Sequence, residues 1–166
     1  MEDYRELAEQ AKGRDKDAFA KLYELVYKDM YRFAFYTLKN KQDAEDVVSD
    51  TVADAFESIR SLRDAQAFRG WIFKILSNKC KRKLKEYVTK TVEMSDDLCM
   101  GQDFTEGVGV REAFAKLPDE ERLIIAMQLF AGYSSREIGH ILHKSDNTVR
   151  SSKSRALKKL EQLLKE

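Results

Sequence analysis

The sequence predicts an all-α protein: two small helical domains, residues 1–88 and 111–166, joined by a flexible acidic linker over 89–110. Three observations carry this expectation. Pro and Gly are scarce, one and seven among 166 residues, while 36% of residues are charged, as in helices with much solvated or contacted surface. Apolar residues recur at spacings of three and four through 15–39, 43–60 and 68–87, the period of an amphipathic helix. Between Val88 and Val110 that period is lost among three glycines and five acids, which reads as a linker.

The elements follow in chain order. The N-terminus, MEDYRELAEQAKGRDKDAF, is charged and does not read as a signal peptide. The first long helix, 15–39, turns Phe19, Leu22, Tyr23, Val26, Met30, Phe33 and Ala34 inward. The second, 43–60, does so with Ala44, Val48, Val52, Ala55, Phe56 and Ile59. A short polar stretch, RSLRDAQA, leads to a third helix, FRGWIFKILSNKCKRKLKEY, with Trp71, Ile72, Ile75 and Leu76 inward. Helical pattern resumes at Arg111 and is punctuated by Pro118. PDEERLIIAMQLF is a further helix, with acids in the first turn, where the helix dipole favours them. Gly132 ends it. Ser134 and Glu137 have the spacing of a capping box, opening a short helix with Ile138, Ile141 and Leu142 apolar. After the turn HKS, Ser145 or Asp146 caps a last helix carrying Val149, Ala156, Leu157 and Leu160 on its apolar side. Short helix, tight turn and second helix form the helix-turn-helix pattern, whose second helix enters the DNA major groove.

The net charge of +1 hides a string of charge blocks. Residues 43–57 hold six acids and no base, and 91–110 hold five acids and no base. Residues 69–90 hold eight bases and one acid, and 144–165 hold seven bases and two acids. Asp43, Asp46, Asp50, Asp54 and Glu57 form a carboxylate stripe whose mutual repulsion a basic protein partner would relieve. The third helix combines Arg69, Lys74, Lys79, Lys81, Arg82, Lys83 and Lys85 with Phe68, Trp71 and Phe73. Such cations hold phosphates and aromatics stack on unpaired bases, although Trp71 and Phe73 lie among core positions. The better candidates for base capture are the loop Arg60–Phe68 and Asn78. On the last helix Asn147, Ser151, Ser154 and Lys158 share the exposed face, flanked by Arg150 and Arg155. Asn and Arg pair with base edges, whereas Ser and Lys hold phosphates.

Other classes find little support. There is no Gly-rich phosphate loop, nucleophile elbow or metal cluster, so neither an enzyme nor a cofactor or metal is expected. His140 and His143 lack a third ligand nearby. No apolar run approaches the ~20 residues of a membrane span. Two cysteines, Cys80 and Cys99, imply no disulfide framework and suit the cytosol.

The motifs in this order resemble those of the extracytoplasmic-function (ECF) sigma factors, small promoter-recognition subunits of bacterial RNA polymerase. DAEDVVSDTVADAFESI is similar to the family's core-binding helix, FRGWIFKILSNKCKRKLK to its −10 helix, and LPDEERLIIAMQLFAGYSSREIGHILHKSDNTVRSSKSRALKKL to its −35-reading domain. Arg82 stands where the family commonly has Asp, adding positive charge where DNA is expected. The resemblance implies a region 2 helical bundle and a region 4 helix-turn-helix. It implies that the polymerase clamp (β′) meets Asp43, Asp46, Asp50, Asp54 and Glu57, with a second contact at the β flap. It assigns −10 DNA to Arg60, Arg63, Phe68, Asn78, Lys79, Arg82 and Lys85. It assigns −35 DNA to Asn147, Thr148, Arg150, Ser151, Ser154, Arg155 and Lys158. Partners would be core polymerase, promoter DNA and an anti-sigma factor, often membrane-anchored, with the chain itself cytoplasmic. A conventional helix-turn-helix regulator, binding duplex DNA alone and usually as a dimer, is the competing reading. It has no need of the acidic stripe or of the basic-aromatic third helix. A helical adaptor without a DNA role leaves the face of the last helix unexplained.

Overall fold

The structure, a computed structural model, describes residues 4–90 and 108–165. Among these residues are eight α-helices and no strand: α1 (Tyr4–Lys12), α2 (Lys16–Leu38), α3 (Lys41–Ser58), α4 (Phe68–Lys90), α5 (Val108–Ala115), α6 (Asp119–Leu129), α7 (Ser135–Leu142) and α8 (Asp146–Lys165). Most of the expected linker, 91–107, lies outside the described residues. No described helix is long and apolar enough to cross a membrane.

Helix α1 is not anticipated from the sequence, because its buried side is only Leu7, Ala8 and Ala11. The first bundle is otherwise the expected one. Asp15 caps α2 by accepting from the Asp17 and Ala18 amides, and Asn40 caps α3 by accepting from the Asp43 amide at 2.9 Å. Between α2 and α3 the chain reverses at Lys39, which takes the left-handed conformation, φ 58°. RSLRDAQA is not a plain polar connection. It forms two 3-10 turns, Ile59–Ser61 and Ala65–Ala67, and buries Leu62 and Ala65.

The second bundle contains the helix-turn-helix. The capping box of α7 is present: the Glu137 amide donates to Ser134 Oγ at 3.1 Å, and the Ser134 amide donates to Glu137 Oε1 at 3.0 Å. His143 ends α7 at φ 60°. Ser145 accepts from the Thr148 amide at 3.1 Å and so caps α8. The turn is tight enough to demand Gly139, where a Cβ would stand 2.6 Å from the Lys144 carbonyl oxygen.

The two bundles pack into one body. At the end of α2, Phe33 to Leu38 are all buried, including Tyr36 and Thr37 on what a two-domain reading takes as the outer side. Helix α6 is buried nearly all round, Glu121 to Met127, because α2 and α4 cover one side and α7 and α8 the other. A helix buried over most of its circumference is a core helix. Tyr36 reaches into the second bundle among Phe114, Leu117, Ile125 and Ala156. Arg122, 1% exposed, donates from Nε and Nη2 to the Thr37 carbonyl (3.0 and 2.9 Å) and from Nη1 to the Leu117 carbonyl (2.7 Å). Nη2 also meets Asp119 Oδ1 at 2.7 Å. A buried cation is tolerated only when so paired, and the C-terminal carbonyls of α2 carry the negative end of its dipole. Burial lowers the Arg122 pKa, with Asp119 opposing the shift.

Candidate nucleic-acid and partner interfaces

Helix α3 presents the acidic stripe, but not as five equivalent carboxylates. Asp43 and Asp54 lie at the edge nearest α4. The Tyr87 hydroxyl donates a short hydrogen bond to Asp43, and Lys83 Nζ lies 3.9 Å from the same carboxylate. Lys79 Nζ sits 2.6 Å from Asp54. Asp46, Asp50 and Glu57 are exposed further round the helix, beside Glu45; Asp46 accepts from Gln42 at 3.0 Å. The stripe therefore does two things. Its inner edge bolts α3 to α4, and its outer edge remains an anionic surface. Burial, and then the hydrogen bond to Asp43, push the Tyr87 pKa well above the ordinary phenol value.

Two residues expected on −10 DNA are placed elsewhere. Phe68 is fully buried beneath the loop, 6.4 Å from the Tyr4 ring and 6.0 Å from Trp71; an aromatic at a helix start adjoining a core run is drawn inward by the hydrophobic effect. Lys79 turns toward α3, where Asp54 holds it. Arg60, Arg63, Asn78, Arg82 and Lys85 are exposed, the first two on the loop and the others along one face of α4. Trp71 is half-buried and Phe73 fully buried, the latter beneath the Arg69 guanidinium at 4.8 Å.

The expected −35 residues share one exposed face of α8: Asn147, Thr148, Arg150, Ser151, Ser154, Arg155 and Lys158. Arg150 reaches back to Asp146 at 3.2 Å, and Arg155 rests on buried Ser152 at 3.2 Å. Val149, Ser152 and Ala156 form the buried side. Leu157, expected there, is 48% exposed, since Ala156 and Leu160 take the packed side and Leu157 is turned about 100° from Ala156 round the helix. Lys153, near the buried side, donates to Ser135 and so ties α8 to α7.

The loop and α4 face the second bundle across a cleft of about 1070 Å³. Arg63, Trp71 and Lys74 line one wall, and Arg136, His140, Lys144 and Asp146 the other. Two polar links join the bundles here: the Tyr133 hydroxyl donates to the Gly70 carbonyl at 2.5 Å, both residues lining the cleft, and Arg69 donates to the Phe130 carbonyl at 2.6 Å while pairing with Asp29 at 2.9 Å. These contacts went unread in the sequence. Their trace is the apolar run LIIAM in α6, too continuous for a one-sided helix, and FAFYTL in α2.

Comparison with known proteins agrees with this geometry. Residues 22–88 match the Sigma-70 region 2 family model, and residues 108–160 match that of Sigma-70, region 4. The chain is 32% identical over 143 residues to RNA polymerase sigma factor SigV of Bacillus subtilis, covering 83% of this chain and 86% of that protein. It is 27% identical over 154 residues to ECF RNA polymerase sigma factor SigM of Mycobacterium tuberculosis, covering 90% of this chain and 79% of the relative. In fold it is similar to the sigma factor RpoE of Bartonella quintana, crystallised with the anti-sigma factor NepR: TM-score 0.73, 24% identity, 89% of this chain and 96% of that one. With the two sigma-70 family models matched in order along the chain and a 32% identical sigma factor covering most of it, the chain belongs to the ECF sigma factors of the sigma-70 family.

Proposed function

We propose that the chain directs bacterial RNA polymerase to one class of promoter, with residues 1–88 binding core and reading the −10 element, residues 111–166 reading the −35 element, and 89–110 linking them. The observation that carries this reading is the coexistence of an anionic surface on α3 with two separate cationic surfaces, on the loop with α4 and on α8. A conventional regulator needs only the last of the three. The chain is a specificity subunit and supplies no catalytic group of its own.

On α3, Asp46, Asp50 and Glu57 are the direct polymerase contacts. Asp43 and Asp54 support them by fixing α3 on α4, and the β flap takes the second bundle. Arg60 and Arg63 on the loop, with Asn78, Arg82 and Lys85 on α4, serve the −10 strand; Phe68 and Lys79 support them from beneath and beside. Removing a base from the stack costs a few kcal/mol, so the loop's contribution is to hold an extruded base against a rigid bundle. The faces of α4 and α8 also suit the chain to inhibition by an anti-sigma factor that covers them, in the cytoplasm or held at its membrane.

Reversing two exposed carboxylates tests the polymerase surface. Asp46→Arg with Asp50→Arg should weaken core binding at least tenfold, about 1.4 kcal/mol, with an unchanged thermal midpoint because neither carboxylate packs on α4. Unaltered affinity in a titration with core polymerase removes α3 from the interface. Tight, sequence-specific binding of duplex promoter by the free chain would favour the regulator reading instead.

A further inference from the structure

Helix α1 lies outside the stretch that matches Sigma-70 region 2, which begins at residue 22. Yet it packs across both 3-10 turns of the loop as well as against α2. The loop's own hydrogen bonds are local. Ser61 Oγ donates to the Ser58 carbonyl at 2.7 Å, the Leu62 amide to Ile59 at 3.1 Å, and the Gln66 amide to Asp64 Oδ1 at 3.0 Å. These bonds give the turns their shape but do not set how deep or at what tilt the loop sits. That is decided by its buried side, Ile59, Leu62, Ala65 and Phe68, none more than 4% exposed. Leu7, Ala8 and Ala11 of α1 belong to the same core, and the Tyr4 ring stands 6.4 Å from that of Phe68. Ala8 and Ala11 have no exposed surface and short side chains, so the helix backbone comes close. On the other side of the loop Arg60, Arg63 and Gln66 point to solvent.

We infer that α1 is a positioning element for −10 recognition: through Tyr4, Leu7, Ala8 and Ala11 it fixes the height of the loop that carries Arg60 and Arg63. The inference rests on the −10 role proposed for that loop. Recognition groups must be held within about 0.5 Å to work, and the packed interface of α1 supplies that support from some fifty residues away in the chain.

The experiment uses the full chain assembled with core polymerase, and transcription from two promoter libraries, one varied at −10 and one at −35. Tyr4→Ala removes the ring contact, Tyr4→Leu keeps an apolar side chain so that the bundle folds, and Tyr4→Phe keeps the ring. Thermal midpoints set a working temperature at which every variant is folded. Tyr4→Ala and Tyr4→Leu should reduce discrimination at the loop-read −10 position about tenfold, while core affinity and −35 preference stay parental and Tyr4→Phe behaves as the parent. If Arg63→Ala flattens −10 preference but both Tyr4 variants retain it, α1 does not position the loop. If Arg63→Ala also retains it, the −10 assignment itself fails. Equal losses in core binding and at both promoter elements would reduce α1 to a plain stabiliser of the bundle and overturn the inference.

Discussion

Single residues settle how the parts are joined. Arg122 brings a full positive charge into the interior and uses it on the carbonyls of Thr37 and Leu117. Arg122→Met has comparable bulk but leaves both acceptors without a donor and Asp119 without its cation. Stability should fall by about 3 kcal/mol, the scale of a broken buried charge pair, read from urea midpoints. Gly139→Ala acts on the other joint. Its Cβ would stand 2.6 Å from a backbone oxygen that cannot swing away, so the turn must open at a cost of about 1–3 kcal/mol, and −35 discrimination should weaken with it. Tyr87 introduces a pH dependence. Folding raises its pKa above 10, through burial first and then the bond to Asp43. The folded state therefore binds that proton more tightly than the unfolded chain does. Its contribution is complete below pH 10 and is lost as pH rises above that value toward the higher folded pKa. Urea midpoints of the parent should thus fall more steeply above pH 10 than those of Tyr87→Phe; equal slopes would show that Tyr87 is not the group responsible.

At the scale of elements, α8 is the one most fully legible in the sequence. Helical period placed Asn147, Arg150, Ser151, Ser154, Arg155 and Lys158 together, and all are exposed on one face. Arg150→Ala or Arg155→Ala should relax preference at defined −35 positions, since a bidentate base contact carries about 1–3 kcal/mol of discrimination. Lys158→Ala should weaken every promoter about equally and flatten the salt dependence, as loss of a phosphate contact does. Transcription from a −35 library at two salt concentrations distinguishes these; parental preference in both arginine variants would show that α8 does not read sequence. Helix α4 was less legible. Its cations are dense enough that periodicity alone could not tell Lys79, which faces α3, from Lys85, which faces outward. Phe68 was ambiguous for the same kind of reason: an aromatic beside basic residues fits stacking on a base as well as burial, and only the packing of α1, the loop and α4 around it shows that it is buried.

Over the whole molecule the notable fact is closure. The names −10 and −35 place the two promoter elements about 25 base pairs apart, roughly 85 Å of duplex at 3.4 Å per pair. In the closed molecule the start of α4 (Trp71) and the start of α8 (Asp146) line one cleft, so on the proposed roles of these helices both engage one promoter only if the bundles part. The free chain should show a radius of gyration near 15 Å, as a compact chain of 166 residues does. Arg122→Met combined with Tyr133→Phe, which removes links at both ends of the joint, should raise it measurably in small-angle scattering. A parent already above about 20 Å would mean that the bundles are apart from the outset.

The sequence by itself determined the helices and their caps, the helix-turn-helix, the charge blocks and the family. All of these depend on residues within a few turns of one another, where the 3.6-residue period and cap chemistry act directly. What only the tertiary structure decided is which carboxylates and lysines neutralise each other across α3 and α4, that α1 lies beneath the loop between those two helices, and that α6 is buried nearly all round by two bundles rather than one. These facts depend on contacts between residues far apart in the chain. The same apolar side chain satisfies a local core or a neighbouring bundle equally well, and only the assembled packing chooses between them.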